Sequence, residues 1–509
     1  MSLSSSRLRG FAFSLLALAT VAGSALADSG VAYTYTTLGQ IASVDGPRTD
    51  VSDITKYTYD DLGHLTSVTN ALGQTTTLAN FDTTFGNPQT VTDPNGTVTT
   101  LTYAPQGWLA SSTVGSAVTT YAYNAVGDVV QITLADGNWI KYTYDDARRL
   151  IGVRNRLGES INYTLDAMGN RLTENTKDAS GASVRLQKHA FDELGRLLTN
   201  VGAASQTQRF GYDLNDNQTS ATTPKSNKTQ KGFDALNRIN KIVDPLGGTT
   251  AIAYNGADQI TKVVDPRGVT TQYAYDYLGN LTKRVSPDSG TTTFTYDAAS
   301  NMTSSTDARG VVTKYTYDAL NRLITKTYPA TAALNVTYLY DQTANGNKGI
   351  GRLTGIQDSG GVLGYTYDAQ GNLISQQRSA TVNSTAVNET LGYGYDVANN
   401  LTQMTYPAGL SVSYTRNTAS QVSGIKLAIN GGTPVVLASA ISYQPFGPLK
   451  TLTWGNGLTL ARTYDNDYQL TEQTVGNWQT AYSFDADSNI SQSVHTLWGT
   501  VQYLSLIHI

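Results

Sequence analysis

The chain has 509 residues, of which 15% are charged, and its formal net charge is −4, so it lacks the clustered cations that a nucleic-acid binder needs. It contains no cysteine, which removes disulfides, thiolate metal sites and cysteine nucleophiles. The 47 glycines and 32 tyrosines, against 5 tryptophans, suit many short strands joined by tight turns and do not suit long helices.

Arg7 and Arg9 precede an uncharged run over residues 10–27 that holds Phe11, Phe13, Leu15, Leu16 and Leu18 and closes on Ala25, Leu26 and Ala27. A basic start, a short apolar centre and a small-x-small end predict an export leader over residues 1–27, cleaved after Ala27. The rival reading is an uncleaved anchor, since the run is of borderline length for a membrane span. The alanine-rich end and the polar stretch after it favour cleavage, which places the protein outside the cell or on its surface and leaves no membrane span.

Residues 28–503 repeat a short motif: aromatic, x, Tyr or Phe, Asp, x, x, Gly or Asn, Asn or Arg, Leu. Tyr33 and Tyr35 with Gly39 make a degenerate first copy, and Lys56–Thr76 a clear second. Gly86, Gly107 and Gly127 carry the spacing to Asp145 and Asp166. The longer step to Asp192 predicts a loop insertion over residues 176–183. From Phe191 to Asp318 the motif position falls at Asp192, Asp213, Asp234, Asn255, Asp276, Asp297 and Asp318, a period of 21 residues. Such a period marks a stack of small units, each resting on its neighbours. Beyond Asp318 the spacing loosens through Asp341, Asp368 and Asp396, with insertions over residues 343–351 and 378–389. Gly424–Ile441 carries no motif Asp and reads as one elongated hairpin turning at Gly431 and Gly432, after which the pattern resumes at Asp465 and Asp485. The count is about twenty units without a domain boundary. Residues 504–509 break this polar, glycine-rich texture and read as an aberrant or truncated tail.

Within a unit, Tyr273 and Tyr275 alternate onto one face, and Leu281, Lys283 and Val285 alternate after the turn, as strands require. The motif Asp accepts the amide hydrogens of its own turn, and the Gly or Asn after it tolerates positive φ. A second kind of turn links successive hairpins, as in Asp93-Pro94-Asn95-Gly96, Asp244-Pro245-Leu246-Gly247 and Asp265-Pro266-Arg267-Gly268, because proline suits the second turn position and not a central ladder position. Two strands per unit put equivalent residues of neighbouring units about 10 Å apart, too far for the motif aspartates to share a cation or a proton. They are therefore turn residues, and the tyrosines form a supporting ladder.

These units resemble the YD repeats of the Rhs family, which includes bacterial polymorphic toxins, insecticidal toxin-complex shells and the animal teneurins. The copies starting at Tyr57, Tyr273, Tyr315 and Tyr365 carry the resemblance, which covers residues 31–503. It implies an all-β YD-repeat hairpin strip curling into an open spiral shell or cocoon that encapsulates a C-terminal toxic domain. Tyr273, Tyr275, Asp276, Gly279, Asn280 and Leu281 correspond to structural positions of that family, as do Tyr315, Tyr317, Asp318, Asn321, Arg322 and Leu323. Typical family members end the shell with a core plug, some of which cleave themselves, and the tetrads at Asp244 and Asp265, set among ordinary repeats, are not assigned that role.

The reading that follows is a non-enzymatic exported scaffold whose partner is an effector or toxin domain, with no catalytic, cofactor-binding or metal-binding residues and no cofactor. The alternative is a cell-surface or cell-wall glycan-binding repeat protein, for which Trp108, Trp139, Trp454, Trp478 and Trp498 are sparse and irregular. An enzyme needs an acid and a base converging in one cleft, whereas Glu159, Glu174, Glu193, Glu389 and Glu472 are scattered singly and most read as solvated surface charges. His64, His189, His495 and His508 lie far apart in the chain.

Overall fold

The computed structural model describes residues 30–503, so the expected leader over residues 1–27 and the tail over residues 504–509 lie outside the described residues. The described chain forms 43 strands, from Ala32–Tyr35 to Gly499–Gln502. Each strand runs antiparallel to the next in sequence, two strands to a repeat, and the sheet is open. The all-β hairpin strip expected from the repeats is the fold.

The unit around Asp276 shows the construction. Thr270–Tyr275 pairs with Leu281–Ser286, which pairs in turn with Gly290–Tyr296. Tyr273 and Tyr275 lie half-buried on one face while Gln272 and Ala274 are exposed on the other. On the open face, threonines between the two aromatic residues bind a hydroxyl across the hairpin in several units, as in Thr58 to Ser67 at 2.6 Å and Thr295 to Ser304 at 2.7 Å. The polar face is thus laced by short side chains and the aromatic face is packed.

One regular feature escaped the sequence reading. Ala274 faces Lys283 but Tyr275 faces Leu281, so Thr282 is left over as a β-bulge just after the turn. The same slip falls before Tyr59, Tyr144, Tyr212, Tyr296 and Tyr317. A bulge bends its strand and increases local twist, so one bulge per unit bends the strip by a repeated increment.

Few apolar side chains are fully covered, as expected of a single sheet stabilised by neighbour contacts. The main cluster among the described residues is Ala438, Ile441, Leu452 and Leu460, flanked by Val422, Ile425 and Leu449. It packs on the hairpin of Val422–Ile429 and Val435–Tyr443, whose turn holds Gly431 at φ 70° and a bond from the Gly432 amide to the Ile429 carbonyl at 2.9 Å. That hairpin matches the sequence reading.

Two expected loop insertions are corrected. The extra residues near 176–183 lengthen the strands Arg171–Lys177 and Ser183–Phe191, which meet at an ordinary turn from Asp178 to Ala182. Those near 378–389 extend Leu373–Val382 and Thr385–Tyr395 to a tip at Asn383 and Ser384. Threonine and valine in these stretches favour pairing, and adding matched residues to both arms keeps the hairpin register. Of the three expected insertions, only that over residues 343–351 is irregular, with a short 3-10 turn at Ala344–Gly346.

The chain divides into two compact units. One joins Tyr121–Thr249 to the stretch from Leu410 onward, and the other joins the stretch up to Thr120 to Thr250–Gly409.

Candidate functional site: the repeat turns

The common motif turn is a five-residue device built around its Asp; the Asp82 turn is one residue longer and that of Asp341 closes on Arg352. In the turn from Asp276 to Asn280, the Asp276 amide donates to the Asn280 carbonyl at 3.0 Å and the Gly279 amide to the Asp276 carbonyl at 3.2 Å. Asp276 Oδ1 accepts the amides of Leu278 and Asn280 at 3.0 and 2.8 Å, and Oδ2 accepts the Asn280 side-chain amide at 3.0 Å. The fourth position of these five-residue turns is left-handed, at φ 90° for Gly279, 60° for Asn237 and Asn321 and 63° for Ser300. The expected turn chemistry is present in every one of these copies.

Hydrogen bonding holds several of the motif carboxylates below the usual range. The Arg149 guanidinium keeps Asp145 below the usual carboxylate range, Arg238 does the same for Asp234, and the Asn217 amide for Asp213. At Asp82 the backbone amide of Phe85 is the leading cause. An ionised, locally saturated carboxylate is a structural acceptor and has no proton to give in acid catalysis.

Turns are also joined along the row. The fifth residue reaches the turn of the next unit, as Arg196 does to the Asp213 carbonyl at 3.0 Å and to Asp216 at 2.8 Å. Arg322 binds Asp341 at 2.6 Å, and the Asn217 side-chain amide binds Asn237 at 2.8 Å. The same arginines lie over the next tyrosine ring, Arg196 over Tyr212 at 4.9 Å and Arg322 over Tyr340 at 4.4 Å. That tyrosine is a strut: its hydroxyl donates to the carbonyl of the motif Leu one unit back. Tyr296 binds the Leu281 carbonyl at 2.9 Å, Tyr212 that of Leu197 at 3.0 Å, and Tyr464 that of Leu449 at 2.7 Å.

Within each compact unit, motif turns of the later stretch sit on linking turns of the earlier one, 253 to 284 residues away. In the unit containing Tyr121–Thr249, Asp467 accepts the Ala203 amide at 2.9 Å and the Gln206 side-chain amide. Asp487 accepts the Lys225 amide at 2.8 Å, the Thr223 hydroxyl at 2.8 Å and the Asn227 side-chain amide at 3.0 Å. The Lys225 ammonium pairs with Asp485 at 3.1 Å, and the Ser420 hydroxyl donates to Asp136. In the other unit, Asn95 exchanges two hydrogen bonds with the backbone of Ile350, at 2.8 and 3.0 Å. There the buried Arg48 pairs with Asp50 at 2.6 Å and donates to the carbonyls of Tyr317 and Asp318. None of these latches is legible in the repeat consensus. Their one sequence trace is the third turn position, apolar in Leu194 and Leu236 but Asp in Asp467 and Asp487.

The glutamates do not converge. Glu159 is buried, which corrects its reading as a solvated charge: it accepts the Asn155 side-chain amide at 2.6 Å within a linking turn. Glu174 pairs with Arg185 at 3.5 Å, and Glu193 is exposed. His64 binds Asp60 at 2.9 Å and stacks on Phe81, whereas His495 stacks on Trp498. Asp244 and Asp265 close ordinary linking turns. Among the described residues no group of three or more metal-ligating side chains is assembled, and no helix is long and apolar enough to cross a membrane.

Comparison with known proteins agrees with this anatomy. The Teneurin YD-shell family matches residues 20–166, and the RHS Repeat family matches residues 254–291, 278–312 and 296–333. The double-stranded DNA deaminase toxin A of Burkholderia cenocepacia (strain H111) is 32% identical over 104 residues, 19% of this chain and 7% of that protein. The crystal structure of TcdB2-TccC3 superposes with a TM-score of 0.74 at 14% identity, covering 92% of this chain and 30% of that one. The Photorhabdus luminescens Tc holotoxin pore gives 0.75 at 13% identity, covering 92% and 32%. At such identities the structural likeness is one of fold, and the chain spans about a third of the length of those solved chains. Motif, turn geometry and family matches together make the chain an Rhs/YD-repeat shell protein, with the fold seen in the toxin-complex structures.

Proposed function

We propose that the shell is exported and serves to enclose or deliver a C-terminal effector domain, with a leader over residues 1–27 and a single repeat shell over residues 28–503. The observation that carries this reading is the latching of turn on turn between distant stretches in both compact units. A strip used only to display a surface has no need to be sealed to itself, whereas a container does. The relatives support the effector: one is a deaminase toxin, and one solved shell of this fold is described without its hypervariable C-terminal region.

The test attaches a small folded reporter with a protease site after residue 503 and measures its cleavage against free reporter in the same tube. The expected result is slower cleavage of the attached reporter and loss of that protection when Arg48, Asp467 and Asp487 are all changed to Ala. Equal cleavage of attached and free reporter defeats the container reading. Export is checked by sequencing the N-terminus of the secreted protein, expected to begin at Asp28; retention inside the cell overturns it.

A further inference from the structure

In a chain of net charge −4, the open face carries a row of cations in the hairpins around residues 139–183. Lys141 and Thr143 are exposed there, opposite in facing to Tyr142 and Tyr144. The pairing sets Lys141 opposite Arg154, Arg154 opposite Ser160 and Ser160 opposite Lys177, so three cations stand in one row across four strands. The backbones of Lys141 and Arg154 are about 5 Å apart, and that of Lys177 is about 10 Å further on. Among the described residues none of the three pairs with a carboxylate, whereas the motif arginines Arg149, Arg196 and Arg322 each do. Like charges set directly opposite on neighbouring strands weaken a sheet, and a bound anion relieves that cost.

The row runs into a groove. Thr143, Gly152, Arg154, Ser160, Asn162 and the turn over residues 178–181 line a volume of about 370 Å³, at the lower end of the roughly 300–1,000 Å³ of small-ligand sites. Two departures from the repeat open this space. Gly152 stands where Ser67, Ser111 and Ser304 bind a threonine hydroxyl across their hairpins, so the Thr143 hydroxyl finds no side chain opposite it. The lengthened hairpin of Arg171–Lys177 and Ser183–Phe191 brings Ala179 of its turn against Gly158 of the linking turn before it. The groove polar groups both donate and accept hydrogen bonds, as sugar hydroxyls require. They are the Thr143 and Ser160 hydroxyls, the Asn162 carboxamide, which donates to Ser160 at 3.1 Å, and Asp178, whose Oδ1 accepts the amides of Ser180 and Ala182. No lining residue is aromatic, and Lys141 already covers the Trp139 ring at 4.7 Å, so no platform is offered to a nucleic-acid base.

We propose that the groove and its cation row bind an acidic polysaccharide. Carboxylate or sulfate groups of the sugar chain lie on Lys141, Arg154 and Lys177, and its hydroxyls lie on Thr143, Ser160 and Asn162. This inference does not rest on the container reading.

The test is calorimetric titration of the purified chain with oligogalacturonate, which carries carboxylates, and with a heparin oligosaccharide, which carries sulfates as well. Which of them binds identifies the anionic group. Dextran, polyglutamate and single-stranded DNA are the comparisons, and at least one acidic sugar is expected to bind about tenfold more tightly than each of them. Arg154→Gln and Lys177→Gln are each expected to weaken that binding about tenfold, as loss of a hydrogen bond to a charged group does. Lys241→Gln removes an exposed cation of the same face, away from the groove, and leaves binding unchanged. Gly152→Ser alters no charge. Its Cβ meets Thr143 Cβ at 3.4 Å and Asn162 Oδ1 at 3.8 Å, ordinary contacts, so the β spectrum and thermal midpoint are kept while binding is lost. Failure of both acidic sugars to bind, equal binding of polyglutamate or DNA, an equal loss in Lys241→Gln, or unchanged binding by Gly152→Ser each overturns the proposal.

Discussion

Replacing Tyr296 by Phe removes one oxygen and leaves the ring in place. The lost contact is the 2.9 Å bond from the Tyr296 hydroxyl to the Leu281 carbonyl, which ties one hairpin to the one before it. A net intramolecular hydrogen bond contributes about 0.5–1.5 kcal/mol, which corresponds to roughly a two- to twelvefold change in a local opening equilibrium. A long repeat array need not unfold in one step, so the suitable assay is native-state hydrogen exchange, which reads each segment separately. Protection is expected to fall by that factor in Leu281–Ser286 and Gly290–Tyr296, and to stay unchanged two or more units away, because stability in such an array is carried by nearest neighbours. Combining Tyr296→Phe with Tyr212→Phe, several units distant, should give additive losses. Unchanged protection in both strands, or a uniform fall along the whole chain, would refute the strut.

Gly279→Ala places a Cβ at φ 90° and 3.0 Å from Gln259 Nε2, and is expected to cost about 1–2 kcal/mol, whereas Ser300→Gly at φ 63° should be nearly neutral; urea titration of the two variants checks the contrast. Asp487→Ala leaves three donors without their carboxylate and should destabilise the contact by about 1–3 kcal/mol, nearer the low end at an exposed rim, read as faster proteolysis in the turn over residues 223–227. Asp145, Asp213 and Asp234 have folded values below 3.8, so their stabilisation is complete above pH 3.8 and lost as pH falls through those lower values; thermal midpoints should be flat from neutrality down to about pH 4 and drop steeply below it. The Tyr468 hydroxyl is pushed up by burial to about 12, so its contribution is complete below pH 10 and disappears as pH rises towards 12, visible as late tyrosinate absorbance accompanied by unfolding.

The period, the turn residues and the strand alternation were readable because each is local: Asp276, Gly279 and Asn280 settle a reversal by their own hydrogen bonds and backbone angles, whatever lies elsewhere. The insertions near 176–183 and 378–389 were misread because loop-forming residues cover only the tip, while the arms around them keep strand propensity. Glu159 was taken as solvated because its Asn155 partner is no part of the motif.

Sequence alone therefore determined that this is a strip of YD hairpins and that its aspartates are turn residues. Tertiary structure alone decided which turns meet: Arg48 finds Asp318, Asn95 finds Ile350, and Asp487 finds Lys225 across more than 250 residues. Those partners depend on how far each bulged hairpin bends the strip. A bulge bends its strand, so which turns meet depends on many hairpins together, and no single stretch of sequence encodes that.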